Sequence, residues 1–199
     1  GMDFQKVNLH DASIKPKFKE QMKQVTYFYM DLNYRMQYVG VKELDYDGIK
    51  FYFVDNEFYF QCDAPYSSDL KWDIERFTFF SKAVLAIMPV IDFKPDIIHC
   101  HDWQTGLIPV FLKSTFASNP FYNDTKTIMT IHNLKFQGTW DIDTFKFNTA
   151  LPDYMFTPDK LEYKRDANML KGGLVYADYI TTVSETYADE IKYPFFGEG

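Results

Sequence analysis

The sequence predicts an α/β fold built on an open parallel sheet, and a small set of features carries that expectation. Short runs rich in β-branched and other apolar residues occur at Ile97-Ile98, at 126–131 (KTIMTI) and at 178–183 (DYITTV). Helix-like stretches separate them, and parallel strands need such crossovers because a tight turn cannot join them. The first run is followed by His99, His101, Asp102 and Trp103, the second by His132 and Asn133. An open α/β sheet places its ligands there, outside the carboxyl ends of its strands.

Taken in order, Gly1-Met2 precede a polar, Lys-rich segment over residues 3–21 that lacks a strong period and is broken by Pro16. Strand-like runs begin at Val25, at Met36 and at Ile49. Asp47-Gly48 between the last two favours a tight turn. The first quarter therefore reads as an antiparallel β region. After Asp55-Asn56, Pro65, Ser67 and Ser68 and the lack of periodicity indicate a long loop carrying Tyr59, Tyr66 and Trp72. From Asp73 onward, Ile74, Phe77, Phe80, Ala83, Val84, Ile87 and Met88 recur at helical spacing, and Pro89 is expected to end or kink that helix.

Gln104 or Thr105 leads into a helix over 106–112, and 119–124 reads as a loop. Residues 136–166, marked by Pro152 and Pro158, are expected to form loops and short helices over the sheet. A helix is expected over 167–176, where Gly172-Gly173 lowers propensity and points to close packing or a bend. Ser184 is placed to cap a helix that begins with Glu185. Open parallel sheets usually start with strand, Gly-rich loop and helix. No such unit precedes Val25, so the expected sheet is smaller than usual or the chain is a piece of a larger one.

A chain of 199 residues can hold one large domain with a sizeable core. Its net charge of −7, with acidic residues and lysines interspersed, argues against nucleic-acid or anionic-membrane partners. Cys62 and Cys100 form no CxxC pair and are too sparse for a secreted disulfide framework, so a cytoplasmic location is expected. No uncharged run approaches the roughly 20 residues needed to span a bilayer, and no apolar signal segment opens the sequence. Aromatic residues make up 19% of the chain. Most recur at strand or helix spacing and suit a core; a few, such as Tyr66 and Trp72, are placed to lie across a sugar ring.

His99, His101 and Asp102 suggest a metal site at first sight, but strand alternation sends Cys100 away from the two histidines, so joining them all needs a bend. Asp102 has two other readings. A carboxylate can accept from adjacent sugar hydroxyls, and it can cap the helix that follows. His132 can exchange hydrogen bonds near a reacting sugar or simply hold its loop, and Asn133 offers both donors and an acceptor. Ser184 lies in no GxSxG context and capping explains it. Glu198 in FGEG either binds something or decorates the chain end. No GxGxxG or GxxxxGK[ST] phosphate loop occurs.

The stretches PDIIHCHDWQTGLIPVFLK, TIMTIHNLKFQG, NMLKGGLVYADYITTVSETYADEI and FGEG together resemble the bacterial glycogen synthase and plant starch synthase family. That resemblance implies a Rossmann-like open parallel sheet forming the amino-terminal, glucan-acceptor-side domain of a two-domain GT-B glycosyltransferase. Residues 1–199 would be an incomplete version of that domain, without its first strand and KTGG loop and without the carboxy-terminal nucleotide-binding domain. The family transfers glucose from ADP-glucose to the nonreducing end of an α-1,4-glucan with retention of configuration, using no further cofactor or metal. The resemblance makes Asp102 and His132 the catalytic-site residues. It makes Tyr66, Trp103, Gln104 and Asn133 substrate-binding. Where many relatives have HDWH, this chain has Gln104, which removes a titratable group. The chain alone is expected to be catalytically silent. Other classes open to the same residues are a noncatalytic glucan-binding module, another nucleotide-sugar transferase or phosphorylase, and a metal-dependent hydrolase.

Overall fold

The computed structural model describes residues 14–61, 64 and 66–198. The expectations placed on Gly1-Met2, Cys62 and Pro65 lie outside the described residues. Pro16 marks the start of a helix, α1 (Pro16–Gln21), because a first-turn position needs no backbone N–H; residues 3–13 of the polar segment lie outside the described residues.

The antiparallel region is a meander of β1 (Lys23–Leu32), β2 (Arg35–Tyr46) and β3 (Ile49–Asp55). Asp47 and Gly48 both take positive φ and close the second hairpin in the register Tyr46 opposite Ile49. The stretch expected to be one long loop is shorter. Asn56 caps α2 (Glu57–Phe60) by accepting from the N–H of Tyr59, and α3 (Leu70–Val90) starts earlier than Asp73. Asp69 accepts from the N–H groups of Lys71 and Trp72. Trp72 is therefore helical, and Tyr59 is buried between Phe79 and Trp72.

Helix α3 divides two cores. Ile74, Phe77 and Leu85 face the parallel sheet, while Phe79, Ala83 and Ile87 pack with Met30, Leu32, Val39 and Val41 of the meander. A helix buried between two layers needs apolar groups around most of its girth, and this one has them. Pro89 lies in the last turn and the helix ends one residue later, at Val90, beside the position where Pro89 is expected to end it. Proline removes the N–H that would pair with the carbonyl four residues back, and the hydroxyl of Tyr122 donates to that carbonyl, Leu85 O, instead.

The parallel sheet has the order β4 (Ile97–His101), β5 (Lys126–Ile131), β9 (Tyr179–Thr182). Between them run α4 (Leu107–Leu112), α5 (Ile142–Thr149) and α6 (Met169–Tyr176). Burial alternates along β4. Ile98 and Cys100 are covered, while Ile97, His99 and His101 are exposed, so the strand is half-buried rather than buried on both faces. Within 136–166 the expected loops include strand pairing. Here β6 (Thr139–Trp140), β7 (Glu162–Tyr163) and β8 (Asp166–Asn168) make a small antiparallel sheet in the order β6-β8-β7.

The glycines of α6 serve close packing. Gly173 lies against Gly106, and a Cβ on Gly106 would stand 2.1 Å from Met169 O. Asn168 caps this helix. Ser184 caps α7 (Glu185–Glu190) by accepting from the N–H of Tyr187, and α8 (Pro194–Gly197) follows. Among the described residues no helix is long and apolar enough to cross a membrane.

Candidate functional site

The carboxyl ends of β4 and β5 converge on one cluster. The strands run in parallel register with His101 opposite Thr130, so the residues that follow each strand emerge side by side. Asp102 turns the chain out of β4 with φ 56° and ψ −173°. Glycine takes that conformation readily and a residue with a Cβ rarely does. The capping reading of Asp102 fails, since its carboxylate makes no cap bond to the 3-10 turn at Trp103–Thr105. Oδ1 instead accepts from the backbone N–H of His132 at 2.7 Å and more weakly from that of Asn133 at 3.4 Å. Thr105 does the local work, its hydroxyl accepting from the N–H of His101 at 2.7 Å.

Three imidazoles line this edge. The rings of His99 and His101 have centroids 4.2 Å apart, and His101 Nδ1 lies 3.0 Å from His132 Nε2. Burial lowers the pKa of His101, and the neighbouring His99 and His132 lower it further, with Asp102 opposing them. A hydrogen bond between two imidazole nitrogens needs one donor and one acceptor, so the pair favours at least one neutral ring. Behind them His99 Nε2 and Thr130 Oγ1 are 2.6 Å apart, and Thr130 Oγ1 is 2.6 Å from Thr181 Oγ1, a polar row crossing all three strands. Cys100 points the other way, as alternation requires, and burial pushes its thiol up to about 12. It is an inert core residue. Among the described residues no group of three or more His, Cys, Asp or Glu is placed to hold a metal ion.

Tyr66 reaches the same turn from its own loop. Gln104 is buried and its Nε2 donates to Tyr66 Oη at 2.9 Å, while Gln104 Oε1 has no partner among the described residues. The loop is tethered one residue later, where the N–H of Ser67 donates to both carboxylate oxygens of Asp73. Asp73 is itself paired with Arg76 at 2.6 Å inside the protein. Burial raises the Asp73 pKa and Arg76 opposes the rise. Trp103 sits differently from its neighbours. It is 5% exposed, edge-on to Phe77 and covered by Gly138, whose φ is +64°. Asn133 stays at the surface and its Oδ1 accepts from the N–H of Lys135.

Sequence reasoning missed the residues that hold the His132 turn. The hydroxyl oxygen of Tyr187 accepts from the backbone N–H of Leu134 at 3.2 Å. Gln137 donates to Leu134 O and accepts from Asn168 at 2.6 Å. The Tyr187 and Asn168 contacts span 53 and 31 residues and leave no local pattern.

An open parallel sheet with a polar cluster outside the ends of adjacent strands defines a Rossmann-like domain of the α/β class, with its candidate site where such sheets place ligands. Comparison with known proteins narrows this. A family model described as the starch synthase catalytic domain matches residues 7–199, and the chain belongs to that family. A glycogen synthase of Lachnoclostridium phytofermentans is 62% identical over 187 residues, covering 94% of this chain and 39% of the relative. A glycogen synthase of Lachnospira eligens is 62% identical over 182 residues, covering 92% of this chain and 38% of the relative. The chain thus spans well under half the length of the curated relatives it matches. The solved catalytic domain of starch synthase IV from Arabidopsis thaliana, bound to ADP and acarbose, superposes with a TM-score of 0.82 at 25% identity, over 89% of this chain and 37% of that one. The fold is that of the amino-terminal domain of a GT-B glycosyltransferase.

Proposed function

We propose that this chain forms the glucan-acceptor side of a retaining glucosyltransferase of the glycogen and starch synthase type, which moves glucose from ADP-glucose to the nonreducing end of an α-1,4-glucan. The observation that carries the reading is the junction of Asp102 with the His132 turn at the ends of β4 and β5, with Tyr66 and Gln104 beside it. Family membership and the likeness to a starch synthase domain solved with ADP and acarbose support it.

In this reading the bond between glucose C1 and the diphosphate oxygen breaks, and a bond from C1 to an acceptor hydroxyl oxygen forms on the same face. The acceptor proton passes to the departing phosphate oxygen. Asp102 and His132 position sugar hydroxyls around the reacting carbon, and Tyr66, Gln104 and Asn133 contribute further polar contacts. The buried Trp103 holds the turn that presents them. Stabilising the leaving diphosphate needs cationic or N–H donors aimed at it, and in this reading a second, nucleotide-binding domain outside these 199 residues provides them. In this reading the protein works in the cytoplasm, which its two cysteines without a CxxC pair support.

The test is an amide-resolved NMR titration of the chain with a maltooligosaccharide. Saturable shifts at Tyr66, Asp102 and His132 are expected, and a folded spectrum without them would remove the acceptor-side assignment. Incubation with ADP-glucose and the same oligosaccharide should yield no elongated product. Elongation by the chain alone would contradict the division of labour between two domains.

A further inference from the structure

Away from the strand ends, the β1–β2 turn and the carboxyl end of α5 enclose a pocket of about 290 Å³. Asn33 and Asn148 line it and are 5% and 3% exposed. Among the described residues, neither Nδ2 nor Oδ1 of Asn33, nor Oδ1 of Asn148, has a hydrogen-bond partner. Buried amides are nearly always satisfied, so these groups are set for a partner that the described residues do not supply. Lys82, also in the wall, donates to Asp31 O at 2.8 Å and to Asp31 Oδ2 at 2.9 Å. An ammonium has one more N–H to give.

The rim is aromatic. Tyr34 is 86% exposed, and its ring lies 6.1 Å from that of Phe147. Tyr34 follows Asn33 in the two-residue turn with φ 59°. Glycine is the favoured residue at that position, so the turn itself does not call for a tyrosine held out in solvent.

The charges around the pocket cancel in pairs, Lys82 with Asp31 and Arg35 with Glu75 at 3.2 Å. An anionic ligand meets no net positive field there and a cation no net negative one. Unpaired amide donors and acceptors beside an aromatic rim match a neutral ring whose hydroxyls both donate and accept and whose C–H face can lie on Tyr34. The volume lies at the small end of ligand pockets, which run from ~300 to 1,000 Å³, and suits a single ring. We propose that this pocket binds one neutral pyranose unit, free or within a longer saccharide, independently of the Asp102–His132 site.

The experiment is a titration of the isotope-labelled chain with glucose, with maltotriose and with inorganic phosphate, reading the side-chain amide signals of Asn33 and Asn148. Saturable shifts with a sugar are expected. Equal response to both sugars identifies the ligand as a free hexose, and response to maltotriose alone identifies a glucan segment. Tyr34→Gly and Asn33→Gly both keep the positive φ of the turn, so they should fold with unchanged or higher Tm while weakening the response at Asn148 by about tenfold or more. His132→Ala should leave the response intact, which separates this pocket from the acceptor site. The proposal is overturned if neither sugar moves the amides, if phosphate moves them more than either sugar does, if both glycine variants bind as before, or if His132→Ala abolishes the response.

Discussion

Asp102 Oδ1 accepts the backbone N–H of His132 at 2.7 Å, tying the residue that follows one parallel strand to the residue that follows the next. The bond joins positions 30 residues apart and sets the spacing of the two groups proposed to surround a transferred sugar. It also accounts for an aspartate in a backbone conformation that would suit glycine, since glycine has no carboxylate to reach across.

Asp102→Asn keeps an Oδ1 acceptor and tolerates positive φ, so its stability in urea should change by less than about 1 kcal/mol. Asp102→Ala leaves the N–H of His132 without this acceptor and should lose about 1.5–3 kcal/mol. Both variants remove the negative charge. Their affinity for a maltooligosaccharide at the His132 site should fall by about tenfold or more, and a variant that kept wild-type affinity would exclude the carboxylate from ligand contact.

The depressed pKa of His101 gives stability a pH dependence of defined sign. An unfolded imidazole takes up its proton near 6.5, before the folded one does. Below that pH the unfolded state binds more protons, so stability declines as pH falls from 6.5 through the lower folded value. Thermal melts between about pH 7.5 and 5.5 should show this fall, and His101→Gln should flatten it. Parallel curves for the two proteins would assign the slope to other groups.

Tyr122→Phe deprives Leu85 O of its donor at the position where Pro89 has no N–H to offer. A buried carbonyl left bare costs about 1–3 kcal/mol. Pro89→Ala restores an in-helix donor, so the same Tyr122→Phe change should cost less in that background. A double-mutant cycle in chemical denaturation measures the coupling, and additive effects would show that the two residues do not share this carbonyl.

Gly106→Ala forces a Cβ to within 2.1 Å of Met169 O, where α6 crosses the turn after β4. Backbone has to move, and the expected loss is about 3 kcal/mol or more. Gly48→Ala is the control, because nothing lies within 4 Å of a Cβ there and only its φ of 76° opposes the change. Circular dichroism melts should place Gly106→Ala well below Gly48→Ala.

Local signals carried much of this fold into the sequence. The β-branched runs became β5 and β9, the Asp47-Gly48 step became the hairpin turn, and Ser184 became the cap of α7. Signals weakened where burial on two sides erased periodicity. The start of α3 was masked by Ser67, Ser68 and Asp69, residues that look like loop but include the helix cap. The strands β6, β7 and β8 are two or three residues long, too short to alternate.

By itself the sequence determined which groups stand at the strand ends, because the alternation of apolar runs with polar residues is a property of neighbouring positions. It also determined the family, through long motifs in order. Only the tertiary structure decided what those groups do to one another. It gave the Asp102 carboxylate to His132 rather than to its own helix, withdrew Trp103 into the core, paired Tyr66 with Gln104, and left the amides of Asn33 and Asn148 facing a pocket. Each of these outcomes depends on residues brought together by packing of separate elements, and side-chain hydrogen bonds of that range have no signature in the chain between them.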